Sequence, residues 1–91
     1  MQRILCHEVN VKEDIPYGMV LKYYVISGDS ALYGIAVEKL CESGGNVFRE
    51  ERQIGNLFPV FDMAAELCEK LFRNRVTPVC LEEIVREELL L

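Results

Sequence analysis

Two alternating runs dominate the middle of the chain, Met19 to Ile26 and Leu32 to Leu40, joined by Ser27-Gly28-Asp29-Ser30. Both are rich in β-branched and aromatic residues, which suit a pleated, half-buried surface. They predict a pair of antiparallel strands. Strand side chains alternate with a period of two, so Met19, Leu21, Tyr23 and Val25 share a face with Tyr33, Ile35 and Val37. The opposite face carries Val20, Lys22, Tyr24 and Ile26 with Leu32, Gly34, Ala36 and Glu38. Lys22 and Glu38 mark that second face as the outer one and make the first the expected core. Gly34 and Ala36 leave a shallow strip on the outer face, which fits a close approach by another backbone or large side chain, or a bulge in the strand itself.

The flanking segments extend the pattern. Arg3 to Val9 alternates weakly and reads as a short first strand or an ordered arm. Lys12 to Gly18 is polar and broken by Pro16 and Gly18, which marks a loop. Beyond Leu40, Gly44-Gly45 supplies the positive φ values of a tight reversal, and Val47 to Ile54 returns as a further strand. Phe48 and Ile54 occupy its inner positions with Glu50 and Arg52 between them, and Val47, Arg49, Glu51 and Gln53 fall outside. Its charge load suits an edge strand protected from unwanted pairing.

After Gly55-Asn56 the period changes from two to between three and four. Leu57, Val60, Phe61, Ala64, Leu67, Cys68 and Leu71 form one apolar stripe, which predicts an amphipathic helix from about Leu57 to Arg73. Asn56 is its expected N-cap and Pro59 falls in its first turn, where backbone N–H groups have no intrahelical partner. Thr77-Pro78 opens a second helix, with Thr77 as N-cap and Pro78 at the first helical position. Leu81, Ile84, Val85 and Leu89 form its stripe. Glu87 and Glu88 oppose the dipole of its last turn. The terminal Leu89-Leu90-Leu91 is apolar enough to complete a core or a contact between copies.

The predicted fold is therefore α+β. A three- to four-stranded antiparallel meander is followed by two C-terminal helices on one face of the sheet. At 91 residues the chain makes one domain: strand or arm plus loop to residue 18, meander over 19–54, helical part over 56–91.

Charge then removes one class of partner. Fifteen acidic residues against ten basic ones give a net charge of −5, which repels phosphate, so nucleic acid is not an expected partner. No apolar run approaches the roughly 18–20 residues needed to span a bilayer, so no membrane partner is expected. Cys6, Cys41, Cys68 and Cys80 have no CxxC spacing, and the N-terminus has no long apolar signal segment, which points to the cytoplasm.

Candidate chemistry is sparse. His7 is the single histidine, and its spacing from Cys6 and Cys41 matches no zinc pattern. On a regular strand Cys6 and His7 face opposite sides, so His7 could not activate the thiol. Glu50 and Glu51 diverge for the same reason. Neither Gly-containing turn fits GxxxxGK[ST] or GxGxxG. The tyrosines lack the interleaved basic residues of an RNA-stacking sheet. No catalytic, cofactor-binding or metal-ligating residue is assigned, and no cofactor is expected. A redox role for Cys41, Cys68 or Cys80 would need a thiol that is exposed and acidified.

YYVISGDSALYGIAVEKL (Tyr23 to Leu40), followed by a Gly-rich turn, a charged strand, an amphipathic helix and VTPVCLEEIVREELL (from Val76), resembles a family of small uncharacterised proteins from clostridial and related Firmicutes. The resemblance covers roughly Tyr23 to Leu89. Its marks are the Tyr23-to-Gly34 hairpin and Pro78 with Leu81 opening the last helix. It implies a cytoplasmic bacterial protein of unknown function and transfers no catalytic residue.

A sheet covered on one side leaves Val20, Tyr24, Ile26, Leu32, Gly34, Ala36 and Leu40 on the other, an apolar set for a face left in water. Two outcomes are open for it. Either the face is buried against a second copy or another protein, or Arg3 to Val9 folds over it. The alternative functional class is a small-molecule binder or minor enzyme with a pocket between sheet and helices, using Tyr23, Tyr33, Glu50 or Arg52.

Overall fold

The structure, a computed structural model, describes residues 2–11 and 18–89. The predicted loop therefore lies, apart from Gly18, outside the described residues, as do Leu90 and Leu91. Four strands form one antiparallel sheet in the order β1-β2-β3-β4, with β1 at Gln2–Val11, β2 at Met19–Ser27, β3 at Tyr33–Ser43 and β4 at Asn46–Phe58. The helices α1, Phe61–Arg73, and α2, Leu81–Leu89, follow. The expected α+β meander with two helices on the sheet is what the chain forms.

The core face is the one that alternation picks out. Leu21, Tyr23, Val25, Ile35 and Val37 are buried against Ala64, Leu67, Cys68 and Leu71 of α1 and against Leu81 and Val85 of α2. Met19 and Tyr33 pack at its margin. Side chains at i, i+3, i+4 and i+7 of α1 fall on one stripe, and that stripe meets the period-two face of the sheet.

β1 is an edge strand paired along β2. It lies in the plane of the sheet, so of the two readings of Arg3 to Val9 the first strand holds and the arm folded over the outer face does not. Pairing with β2 satisfies a row of backbone donors and acceptors that an overlying arm would leave to water. The β3–β4 reversal is a two-residue turn between Ser43 and Asn46, with φ of +58° at Gly44 and +82° at Gly45. Positive φ at both central residues matches the right-handed twist of the strands.

β4 continues to Phe58, four residues past its predicted end, and this moves the start of the helix. Tyr33 pairs with Phe58 and Ile35 with Ile54, so Gly55, Asn56 and Leu57 together face Gly34. Asn56 takes φ 58° in this bulge, a left-handed conformation asparagine tolerates better than most residues. It is thus not the N-cap of α1. That position is Val60, with no side-chain cap, and Pro59 precedes the helix. Burial of Phe58 in the core holds the strand past the bulge. The step from Leu57 to Val60 mimics helical spacing, an ambiguity that short apolar runs carry.

α1 ends in a Schellman motif. Val76 N–H donates to the Leu71 carbonyl at 3.0 Å and Arg75 N–H to the Phe72 carbonyl at 3.1 Å, with Arg75 at φ 49° in the place glycine usually holds. A turn of 3₁₀ helix, Pro78–Cys80, then leads into α2. Thr77 caps it through its carbonyl, which accepts from Cys80 N–H at 3.1 Å; the Thr77 side chain makes no cap bond. Lys70 at the end of α1 reaches Glu88 at 3.2 Å and offsets the unfavourable dipole position of that carboxylate.

Candidate functional site on the helix-free sheet face

The second face of the sheet combines apolar side chains with a charged lattice. Of the predicted interaction residues, Val20, Tyr24, Leu32 and Leu40 are half-buried, while Ile26, Gly34 and Ala36 are buried within the single chain. The small residues sink between taller neighbours: Ala36 is flanked across the strands by Tyr24 and Gln53, and Gly34 lies under the β4 bulge. The strip is therefore occupied by the chain's own backbone. Leu5, the register partner of Tyr24, adds a half-exposed apolar group on the β1 side.

Alternation also places a charged residue from each strand on this face, and antiparallel register brings them together. Tyr24 Oη donates to Glu38 Oε1 at 3.1 Å, and the Arg49 guanidinium donates to both Glu38 and Glu51. Arg3 pairs with Glu51 at 2.9 Å and lies 4.2 Å over the Tyr24 ring. Lys22 faces Glu8 at 3.7 Å. This lattice spans β1 to β4 and fixes the rotamer of Tyr24 at the centre of the face. Glu38 is 8% exposed. Burial alone would raise its pKa, but hydrogen bonds from Arg49 and Tyr24 and the nearby guanidinium outweigh that and hold it below the usual carboxylate range. Burial first, then the Glu38 charge, raises the Tyr24 hydroxyl.

Alternation along the last strand sets Arg49 and Glu51 outside, and the structure keeps them there; reasoning from the sequence missed Arg3 and the joining of these charges to Glu38 and Tyr24. The signal that would have found them is register. Parity gives the side of the sheet, but only knowing that Glu38 sits opposite Glu51 and beside Lys22 assembles the group.

At one end of the same face, Ile26, Leu32 and Gly34 line a cleft of about 290 Å³ with Ser27, Ser30, Gln53 and Asn56. Ser30 Oγ donates to Asn56 Oδ1 at 2.6 Å, which fastens the β2–β3 loop to the β4 bulge. On the helix side, beyond the reach of the helices, Phe48 is 61% exposed beside Lys39, Cys41 and Glu50. Its inward parity is as predicted, but no helix covers that end of the hairpin.

The groups expected to form a pocket between sheet and helices do not converge. Tyr23 is fully buried and donates to the Val76 carbonyl at 2.9 Å. Tyr33 meets Phe61 edge to face at 5.9 Å. Glu50 faces Lys39 at 3.7 Å, and Arg52 donates to the backbone of Glu51. Among the described residues no three His, Cys, Asp or Glu side chains gather to hold a metal ion. No described helix is long and apolar enough to cross a membrane.

Fold and face together define a small α+β domain, a bulged antiparallel meander with a helical layer on one side and an open, salt-bridged side opposite. A family model described as "Family of unknown function (DUF6514)" matches residues 2–90, and the chain belongs to that family. Searches of curated proteins and of solved structures find no match.

Proposed function

We propose that the protein is a non-catalytic interaction module that self-associates through the helix-free face of its sheet. The observation that carries this is the β2–β3 register: Val20 opposite Leu40, Lys22 opposite Glu38, Tyr24 opposite Ala36 and Ile26 opposite Gly34. A two-fold axis lying in the face between β2 and β3 sets each residue over the register partner in a second copy. Apolar then meets apolar at Val20 and Leu40, cation meets anion at Lys22 and Glu38, and large meets small at Tyr24 and Ala36. Such self-complementarity is what a two-fold interface requires, and packed sheets keep their strands within about 30° of each other. The four free cysteines support a reducing, cytoplasmic setting for the assembly.

Light scattering coupled to size exclusion over a concentration series tests the reading. The expected result is a dimer mass for the wild type and a monomer for Val20→Glu and Leu40→Glu, each with unchanged circular dichroism. A wild-type monomer at every concentration, or a dimer that both variants leave intact, overturns it.

A further inference from the structure

Two thiols from distant parts of the chain come to the same core beneath α1. Leu5 pairs with Tyr24 and His7 with Tyr23, so Cys6 is the extra residue of a bulge in β1. The sequence expectation that Cys6 and His7 face opposite sides fails here, because a bulge interrupts strict alternation. His7 stacks on Phe72 of α1 with ring centroids 4.5 Å apart, and Cys6 packs against the same core. Cys68, fully buried on the sheet-facing stripe of α1, donates to the Tyr24 carbonyl at 3.2 Å, on the residue whose register partner precedes Cys6. Cys6 thus packs on the cluster that holds Cys68, one register step from the carbonyl that Cys68 contacts. Cys80 is exposed ahead of α2, and Cys41 sits out on the β3–β4 hairpin.

We propose that Cys6 and Cys68 are a modification site, a dithiol that a low-molecular-weight disulfide converts into a reversible intramolecular bond stapling edge strand β1 to α1. The half-buried Cys6 thiolate attacks one sulfur of the small disulfide, forming a mixed disulfide and releasing one small thiolate. Cys68 then attacks the Cys6 sulfur, forming the protein disulfide and releasing the second small thiolate. The two protons lost by the cysteines end on the two released thiols, so the protein is oxidised by two electrons and the small disulfide is reduced by two. Cys68 is fully buried and Cys6 half-buried, which assigns the opening attack to Cys6; burial, then the proximity of Cys6, also pushes the Cys68 thiol up to about 12. The bond would close a loop that includes β2, β3, β4 and most of α1, and long loops gain most from a cross-link in the chain-entropy account. This inference is independent of the self-association proposed above.

The test is to equilibrate the full chain in a series of glutathione redox buffers, map its thiols and disulfides by mass spectrometry of unreduced peptides, and record thermal melts alongside. The expected product is a Cys6–Cys68 cross-linked peptide, with a melting temperature raised by roughly 5 °C or more and restored by dithiothreitol. The Cys41→Ser, Cys80→Ser double variant should keep both signals. Cys6→Ser, near-isosteric at a half-buried site, should lose both while still melting cooperatively. Recovery of reduced Cys6 and Cys68 in buffers that oxidise a control dithiol overturns the proposal. So does a cross-link that survives Cys6→Ser.

Discussion

A β-carbon built on Gly34 would lie 2.2 Å from the Ile54 carbonyl oxygen and 2.6 Å from the Gly55 α-carbon. Both obstacles are backbone, held by the pairing of Ile35 with Ile54 and Tyr33 with Phe58, so neither can swing away as a side chain would. Overpacking a fixed site costs about 1–3 kcal/mol, and Gly34→Ala should cost at least the upper part of that range. Urea denaturation checks this. A midpoint within error of the wild type would mean that the bulge does not press on Gly34. At this scale the sequence offered two readings of the glycine, and the bulge decides between them. The approaching backbone belongs to β4, which no inspection of residues near Gly34 in sequence could reveal.

At the scale of elements, the helices end before the sheet does. Leu71 of α1 is 1% exposed, whereas Phe48, on the same side of the sheet, is 61% exposed. Sequence parity treats the two alike, since each is a large apolar residue on an inward face. Coverage separates them. Leu71→Ala should cost about 2–5 kcal/mol, the range for truncating a well-packed core side chain. Phe48→Ser should stay within about 0.5 kcal/mol, as surface changes do. Paired thermal melts of the two variants measure the boundary of the helical layer. A large loss at Phe48 would place that residue inside a packed layer. The helix boundary carries the same lesson in miniature: Leu57 and Phe58 have helical spacing with the residues after them, but pairing with Tyr33 claims Phe58 for the strand.

For the molecule as a whole, Tyr23 joins the two layers through one bond. From the centre of β2 its hydroxyl donates to the Val76 carbonyl in the link between the helices. Burial raises its pKa to about 12, against a small opposing effect of Arg75. The folded state therefore holds this proton more tightly than the unfolded chain, where the pKa is 10.0. The resulting stability is fully present below pH 10 and is lost as pH rises from there to about 12. A shift of that size is worth roughly 2–3 kcal/mol. Cys68, raised from 9.0 to about 12, adds a loss of the same sign from pH 9 upward. Tyr23→Phe should start about 1 kcal/mol below the wild type for want of the hydrogen bond. It should then lose less as pH rises, so that the two curves approach each other. Denaturant midpoints from pH 8 to pH 11, measured in parallel for both proteins, read this out; parallel curves would refute it.

Periodicity by itself determined the type of the elements, the core face and the turn at Gly44-Gly45, because burial stripes and backbone preferences are local properties written in residue order; it left the meander at three or four strands, and pairing of β1 with β2 decided for four. The partition of Leu21, Tyr23 and Val25 from Lys22 and Tyr24 follows from the geometry of a pleated strand. Tertiary structure decided whatever depends on register and on irregularities in it. One bulge carries β4 past Asn56 and closes on Gly34. The other turns His7 toward the helical layer alongside Cys6. Register across the strands brings Arg3, Tyr24, Glu38, Arg49 and Glu51 into one lattice. The physical reason is that pairing and its irregularities take their energy from the neighbouring strand rather than from the strand that contains them: the one extra residue in β1 inverts the facing of those beyond it, whereas the two extra residues in β4 leave Ile54 and Phe58 on the same side.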